Sequence, residues 1–292
     1  MTREEMHRRF AELSADLAQL TGDFPQKMLC PLCLTPMPEE WIDLEEPQIT
    51  EEHIIPETLG GRPPFVTLTC KDCNSTHGAK LDSHLIQMIR AHDSLAGVGT
   101  KPLYGRMHLA GKSHPIDINF NAATKTLETK MRRGHPAVPT QVREFFTDNP
   151  GTLDNPITIK HEVTLEYIPD RANLALLRIG YLAIFKQLRY RYILSSAVDV
   201  IRQIIMKYET PPIELRNIVF GMQNISPAPA GRIQFYSVKN GVGILVVMTL
   251  VADTKQHYYG TTMPNPDLEP AKVFQTLSEA AASIGKRHTD IS

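Results

Sequence analysis

The sequence predicts an α+β protein in which a small cysteine-braced module precedes a larger region of mixed strands and helices. Three observations carry that prediction. All four cysteines, Cys30, Cys33, Cys70 and Cys73, fall in two CxxC pairs within one short stretch. The run ANLALLRIGYLAIFKQLRY at 172–190 places apolar residues at helical spacing. Segments RMHLA, PIDINFNAATKTLETKM and ITIKHEVTLEYI instead alternate apolar with polar residues at period two, as an antiparallel sheet requires. Residues 1–96 are expected to hold an N-terminal helix and the braced module, and residues 97–292 to form an α+β domain.

Taken in order, residues 3–20 read as a helix with Phe10, Leu13, Leu17 and Leu20 on one face, ended by Gly22 and Pro25. Residues 28–82 are dense in Pro and Gly, which suits short strands around tight turns. Beyond Asn74, Leu81, Leu85, Met88 and Ile89 share a helical face. The order strand, turn, strand, helix results. In the second half, Leu174, Leu177, Tyr181, Ile184, Phe185 and Leu188 form an apolar stripe, with Arg178, Lys186, Arg189 and Arg191 as a basic side. A further helix over 196–208 turns Val198, Ile201, Ile204 and Ile205 inward and stops before Pro211 and Pro212. Asn240-Gly241 between two β-rich runs signals a hairpin, and Pro-rich 135–156 reads as a long surface loop.

Hydrophobic content of 42% is ordinary, and the longest apolar run, GILVVMTLV at 243–251, is strand-sized and too short to span a bilayer. The N-terminus lacks the apolar stretch of a secretion signal. Both features point to the cytoplasm, where thiols stay reduced and free to hold metal. Net charge is only -1, but residues 1–83 carry seven Lys/Arg against fifteen Asp/Glu. Residues 101–143 reverse the sign, with Lys101, Arg106, Lys112, Lys125, Lys130, Arg132, Arg133 and Arg143 against Asp117 and Glu128. That basic segment reads either as a track for phosphates or as a solvated charged surface.

A CxxC knuckle turns both thiolates inward with backbone N–H groups directed at sulfur, and two knuckles complete a tetrahedron. Four thiolates leave no open position, so a Zn²⁺ held by Cys30, Cys33, Cys70 and Cys73 is structural; redox thiols and unrelated buried cysteines are the competing readings. Between the halves lie 36 residues, more than a zinc-finger separation, including Glu52-His53-Ile54-Ile55-Pro56 and Leu59-Gly60-Gly61. The second pair is followed at once by Asn74.

The ordered pattern CxxC, EHIIP, LGG, CxxCN, G and D from Cys30 to about Asp82 resembles the HNH endonuclease family, in the members whose ββα-metal fold is braced by four cysteines. The resemblance implies a metal-dependent endonuclease acting on DNA in restriction or phage defence. It implies His53 as general base, Glu52 as acidic metal ligand and Asn74 as the ligand in the last position of the motif. It further implies a single catalytic Mg²⁺ or Mn²⁺ and a product with 5′-phosphate and 3′-hydroxyl. The chemistry agrees: a histidine of ordinary basicity deprotonates water near neutrality, and a hard cation binds through few protein oxygens. One departure stands out. FVTLT at 65–69 supplies no middle Asn to prop the loop behind the base, leaving Thr67, Thr69 or backbone bonds for that task. His77 reads as an additional metal or phosphate contact or as a solvent-facing residue, and Asp82 as a metal ligand or a salt-bridge partner. Gly78 reads as relief for a close approach or as a plain turn, and His84 and His92 as surface positions.

Residues 97–292 contain no second catalytic signature and are expected to bind DNA, a partner (a regulatory protein or a second copy of the chain) or a regulatory ligand. The competing function is a zinc-braced DNA-binding module whose catalysis has lapsed.

Overall fold

The computed structural model describes residues 1–109, 111–132, 138–148, 159–208, 217–223, 227–238 and 241–289. They form two compact units, the first of residues 1–86, 167–251 and 256–292, the second of 87–166 and 252–255. This division does not follow the expected one at 96/97. The C-terminal helices and sheet pack with the cysteine module in the first unit, and the inserted second unit interrupts them.

The first unit opens with helix α1 (Arg3–Thr21), set by a capping box between Thr2 and Glu5 and ended by Gly22 in the left-handed conformation. Phe10, Leu13 and Leu17 are buried, whereas Leu20, in the last turn, is 48% exposed and leaves the expected stripe. Strands β1 (Lys27–Leu29) and β2 (Pro36–Pro38) pair around the first CxxC. Strands β3 (Ile49–His53) and β4 (Val66–Cys70) pair antiparallel with Glu52 opposite Thr67 and His53 opposite Val66. Helix α2 (Lys71–His77) follows at once, then a π turn (Gly78–Asp82), then α3 (Ser83–Leu95), which runs into the second unit. The strand, turn, strand, helix order is as the spacing predicts.

Helix α5 (Pro169–Ile193) is the core of this unit, with every residue from Leu174 to Phe185 buried. A helix apolar on one stripe lies on a surface; one buried all round must also bury its polar residues. Arg178, expected on a basic outer side, is accordingly 0% exposed, while Leu188, expected inside, is 40% exposed. The ends of the stripe diverge because the helix is interrupted at Arg189, whose φ of 51° is non-helical. A Cβ on Gly180 would stand 2.2 Å from Thr261 Oγ1, so glycine there lets α5 approach the sheet. That sheet has the order β10 (Ile233–Ser237), β11 (Gly243–Val251), β12 (Gln256–Pro264), β9 (Val219–Met222). Helices α6 (Ser196–Lys207) and α7 (Val273–Thr289) complete the unit. The β10–β11 pairing matches the hairpin signal, although Asn240 of its turn lies outside the described residues.

The second unit is built on a sheet of order β7 (Thr126–Met131), β6 (Lys112–Asn121), β5 (Leu103–Leu109), β8 (Lys160–Thr164), with Met107, Ile116 and Ile118 as its core. Asn121 Oδ1 accepts from the N–H groups of Ala123 and Thr124, turning one alternating run into two strands. Helix α4 (Val138–Asp148) occupies part of the segment expected as a loop; Pro139 at its start removes no helical hydrogen bond. Its neighbours 133–137 and 149–158 lie outside the described residues, and with them Arg133. Lys101, Arg106, Lys112, Lys125, Lys130, Arg132 and Arg143 are all exposed.

The first knuckle is clasped by the C-terminal helices. Tyr190 Oη donates to Leu29 O and accepts from Leu29 N, Tyr181 Oη donates to Pro31 O, and Arg202 donates to Leu32 O. Tyr190 and Tyr192 are both fully buried in the core. An expected consequence is that residues 1–96 expressed alone do not reach a stable fold, because the knuckle, Glu52 and Asp82 all lose their partners. A dispersed amide spectrum and stoichiometric zinc in that fragment would contradict this.

Candidate nuclease and metal centre

The four cysteine sulfurs all lie within 4.8 Å of one another. Cys33 Sγ and Cys70 Sγ are 3.7 Å apart, the edge of a tetrahedron with metal–sulfur bonds of about 2.3 Å. Each pair is a tight turn. Leu34 N donates to Cys30 O with Leu34 at φ 60°, and the N–H groups of Cys70 and Cys73 point at Cys30 Sγ and Cys70 Sγ, at 3.5 and 3.4 Å. Burial, with the neighbouring thiols, pushes Cys30 well above its ordinary value. Donor type, number and spacing fit structural zinc.

His53 stands at the end of β3 with its side chain 26% exposed. Its Nε2 lies 3.1 Å from Glu57 Oε1 and 3.6 Å from Glu51 Oε1. A carboxylate at Nε2 selects the tautomer with the proton there, leaving Nδ1 as the basic atom. Backbone bonds brace the loop behind His53: Ile54 N to Phe65 O, Leu59 N and Gly61 N to Pro56 O, and Phe65 N to Arg62 O. Thr69 Oγ1 has no partner among the described residues and props nothing. The Leu59-Gly60-Gly61 turn has a steric basis, since a Cβ on Gly61 would lie 1.7 Å from Ile55 O. Gly78 is different: a Cβ there meets nothing within 4 Å, so no internal crowding explains it.

Successive strand residues face opposite sides, so Glu51 and His53 share one face of β3 while Thr50 and Glu52 share the other. Asn74 docks on the Thr50 side, its Nδ2 donating to Thr50 Oγ1 at 3.1 Å and to Glu51 O at 2.8 Å. These two bonds fix the amide orientation and leave Oδ1 as a free acceptor. Glu52 is 3% exposed; Oε1 accepts from Arg178 Nη1 and Oε2 is buried with no partner among the described residues. Arg178 Nη2 donates to both oxygens of Asp82, at 2.6 and 2.7 Å. Asp82 is therefore a salt-bridge residue. Burial pushes the Glu52 and Asp82 carboxyls up, with Arg178 opposing the shift. Burial alone would lower Arg178, and the Asp82 and Glu52 charges more than reverse this, so the guanidinium stays charged.

His77 is fully buried and packs against Tyr208, with ring centroids 5.2 Å apart and the planes tilted by 60°. Burial, aided by Arg178, lowers it to about 3, so it is neutral. Neither a phosphate contact nor a solvent-facing role fits that position. His84 is half-buried and accepts from Ile168 N through Nδ1, and His92 is half-buried rather than on the surface. Sequence reasoning missed Arg178, Glu51 and Glu57 as neighbours of the site. The last two were signalled by their spacing of two and four residues from His53; Arg178 had only its place amid an otherwise apolar helix.

Residues 42–90 match the family model of HNH endonucleases. No curated protein and no solved structure matches the chain.

Proposed function

We propose that, with an HNH endonuclease module as its premise, this protein is a divalent-metal-dependent endonuclease that hydrolyses phosphodiester bonds in DNA. The observation that carries the reading is the zinc-braced hairpin that presents His53, with Nε2 held by a carboxylate, at the end of the same strand that carries Glu52 and to which Asn74 is bonded. The free Asn74 Oδ1 and the orphaned Glu52 Oε2 are hard oxygen donors and fit Mg²⁺ or Mn²⁺. When bound, that cation supplies positive charge to the phosphate and to the leaving oxygen. His53 Nδ1 takes a proton from the attacking water, and Glu57 stabilises the imidazolium through Nε2. Asn74 ties α2 to β3, which keeps the strand end from drifting. The seven exposed cations of residues 101–143 suit the phosphate backbone of DNA and predict binding that weakens with salt. The reduced thiols suit the cytoplasm, and among the described residues no helix is long and apolar enough to cross a membrane. Restriction or phage defence is the role this activity fits.

A plasmid nicking assay in Mg²⁺ and Mn²⁺ tests the reading. Wild-type protein is expected to nick, and Asn74→Ala to nick about 10–100-fold more slowly with its zinc retained. The ion pair between Glu52 and Arg178 favours the rival reading, a lapsed nuclease that only binds DNA. Salt-sensitive DNA binding with intact plasmid under every divalent cation would select it.

A further inference from the structure

The polar centre of the module is completed from outside it. Arg178 lies on α5, 126 residues beyond Glu52 and 96 beyond Asp82, and all three side chains meet in the interior. We infer that Arg178 is a positioning residue for the catalytic cation: its guanidinium fixes Glu52 by one oxygen and reserves the other for the metal. The inference rests on reading Glu52 as the cation's carboxylate.

Four features carry it. The guanidinium is asymmetric in its use, engaging both oxygens of Asp82 but only Oε1 of Glu52. Glu52 Oε2 is left buried and without a partner among the described residues, a position that costs free energy unless something else satisfies it. Glu52 and Thr50 share the face of β3 to which Asn74 is bonded, so the orphaned oxygen belongs to the strand face carrying the free Asn74 Oδ1. Arg178 itself cannot wander, because Leu177 and Ile179 on either side are buried and Gly180 seats the helix against Thr261.

Charge explains why an arginine is needed. Two carboxylates buried together repel, and burial favours protonating one of them. A guanidinium set between the two opposes that repulsion, and the two acids outnumber the one cation where a divalent cation would sit. Asp82 anchors the clamp: as the last residue of the π turn, where the helix takes up an extra residue, it faces α5 and holds the fork of Arg178 flat. The C-terminal half thereby determines whether the N-terminal module can bind its cation.

The test uses full-length, zinc-loaded protein and Mn²⁺ binding read by electron paramagnetic resonance, with the Mn²⁺ dependence of nicking beside it. Arg178→Met alone strands two buried carboxylates and threatens folding, so the deciding variant is Arg178→Met with Asp82→Leu, which strands only Glu52. It is expected to keep its zinc, to melt at a lower temperature than wild type because of that one carboxylate, and to bind Mn²⁺ at least about 10-fold more weakly. Arg178→Lys, which keeps charge without the fork, is expected to fall between it and wild type. Asp82→Asn retains an acceptor for the guanidinium but removes one buried charge, and is expected to weaken Mn²⁺ binding by less than the double variant does. Wild-type affinity in the double variant overturns the inference, as does a loss in Asp82→Asn as large as the double variant's, which would make Asp82 itself a ligand. Wild-type protein that binds Mn²⁺ but does not nick removes the nuclease reading and leaves the binding arms to judge the clamp. Wild-type protein that does not bind Mn²⁺ overturns both.

Discussion

His53→Ala is expected to lower plasmid nicking by about 10²–10⁴-fold while zinc content and melting temperature stay at wild-type values. The size follows from the role. General-base catalysis supplies that factor when the base sits at the reacting water, and alanine leaves nothing that can take the proton. The selectivity follows from the position. His53 is partly exposed, pairs with the carboxylates of Glu51 and Glu57, and lies on the opposite face of β3 from the buried Glu52. Its removal opens no cavity in the core and strands no buried charge, so surface-type effects of under about 0.5 kcal/mol are expected on stability. Nicking that persists in His53→Ala at the wild-type rate would remove the residue from the mechanism.

Cys70→Ser is expected to lose zinc and, with it, the fold of the first unit. Structural zinc contributes about 10–16 kcal/mol to small modules, comparable with the whole stability of a typical domain. The loss should not stay local. Cys70 ends β4 and begins α2, and the facing knuckle is bonded to Tyr181, Tyr190 and Arg202 of the central helices. Breaking the cage therefore releases the surface on which α5 is packed. The measurement is zinc stoichiometry with thermal unfolding: one zinc per wild-type chain, none in the variant, and loss of the cooperative transition. A variant that unfolds cooperatively near the wild-type temperature would show that the four thiols are not a structural site.

Much of the centre was legible in the chain because it is encoded locally. A CxxC pair needs only its own turn to aim two sulfurs, and the strand alternation through Glu51, Glu52 and His53 needs only the pleat. The hairpin, the helix after Asn74 and the core tyrosines follow from patterns of a few residues. Errors arose where a partner lies far away in sequence. Periodicity placed Arg178 on an outer basic side, since a lone cation on an apolar helix is ordinarily turned to water. It is buried because Glu52 and Asp82 supply the opposite charges. Leu188 and Leu20 went the other way, each lying where a helix is interrupted or ends.

The domain division had the same cause. A change of texture near residue 97 marks where the second unit is inserted, but composition carries no record of which later segment returns to the first. By itself the sequence determined the four-cysteine cluster and the ββα order, both of them products of short-range geometry. Tertiary structure alone decided that Glu52 is held from α5, that Asp82 is salt-bridged to Arg178 and that His77 is sealed inside. Those are outcomes of burial and long-range charge pairing, which depend on which surfaces meet and not on the spacing of residues along the chain.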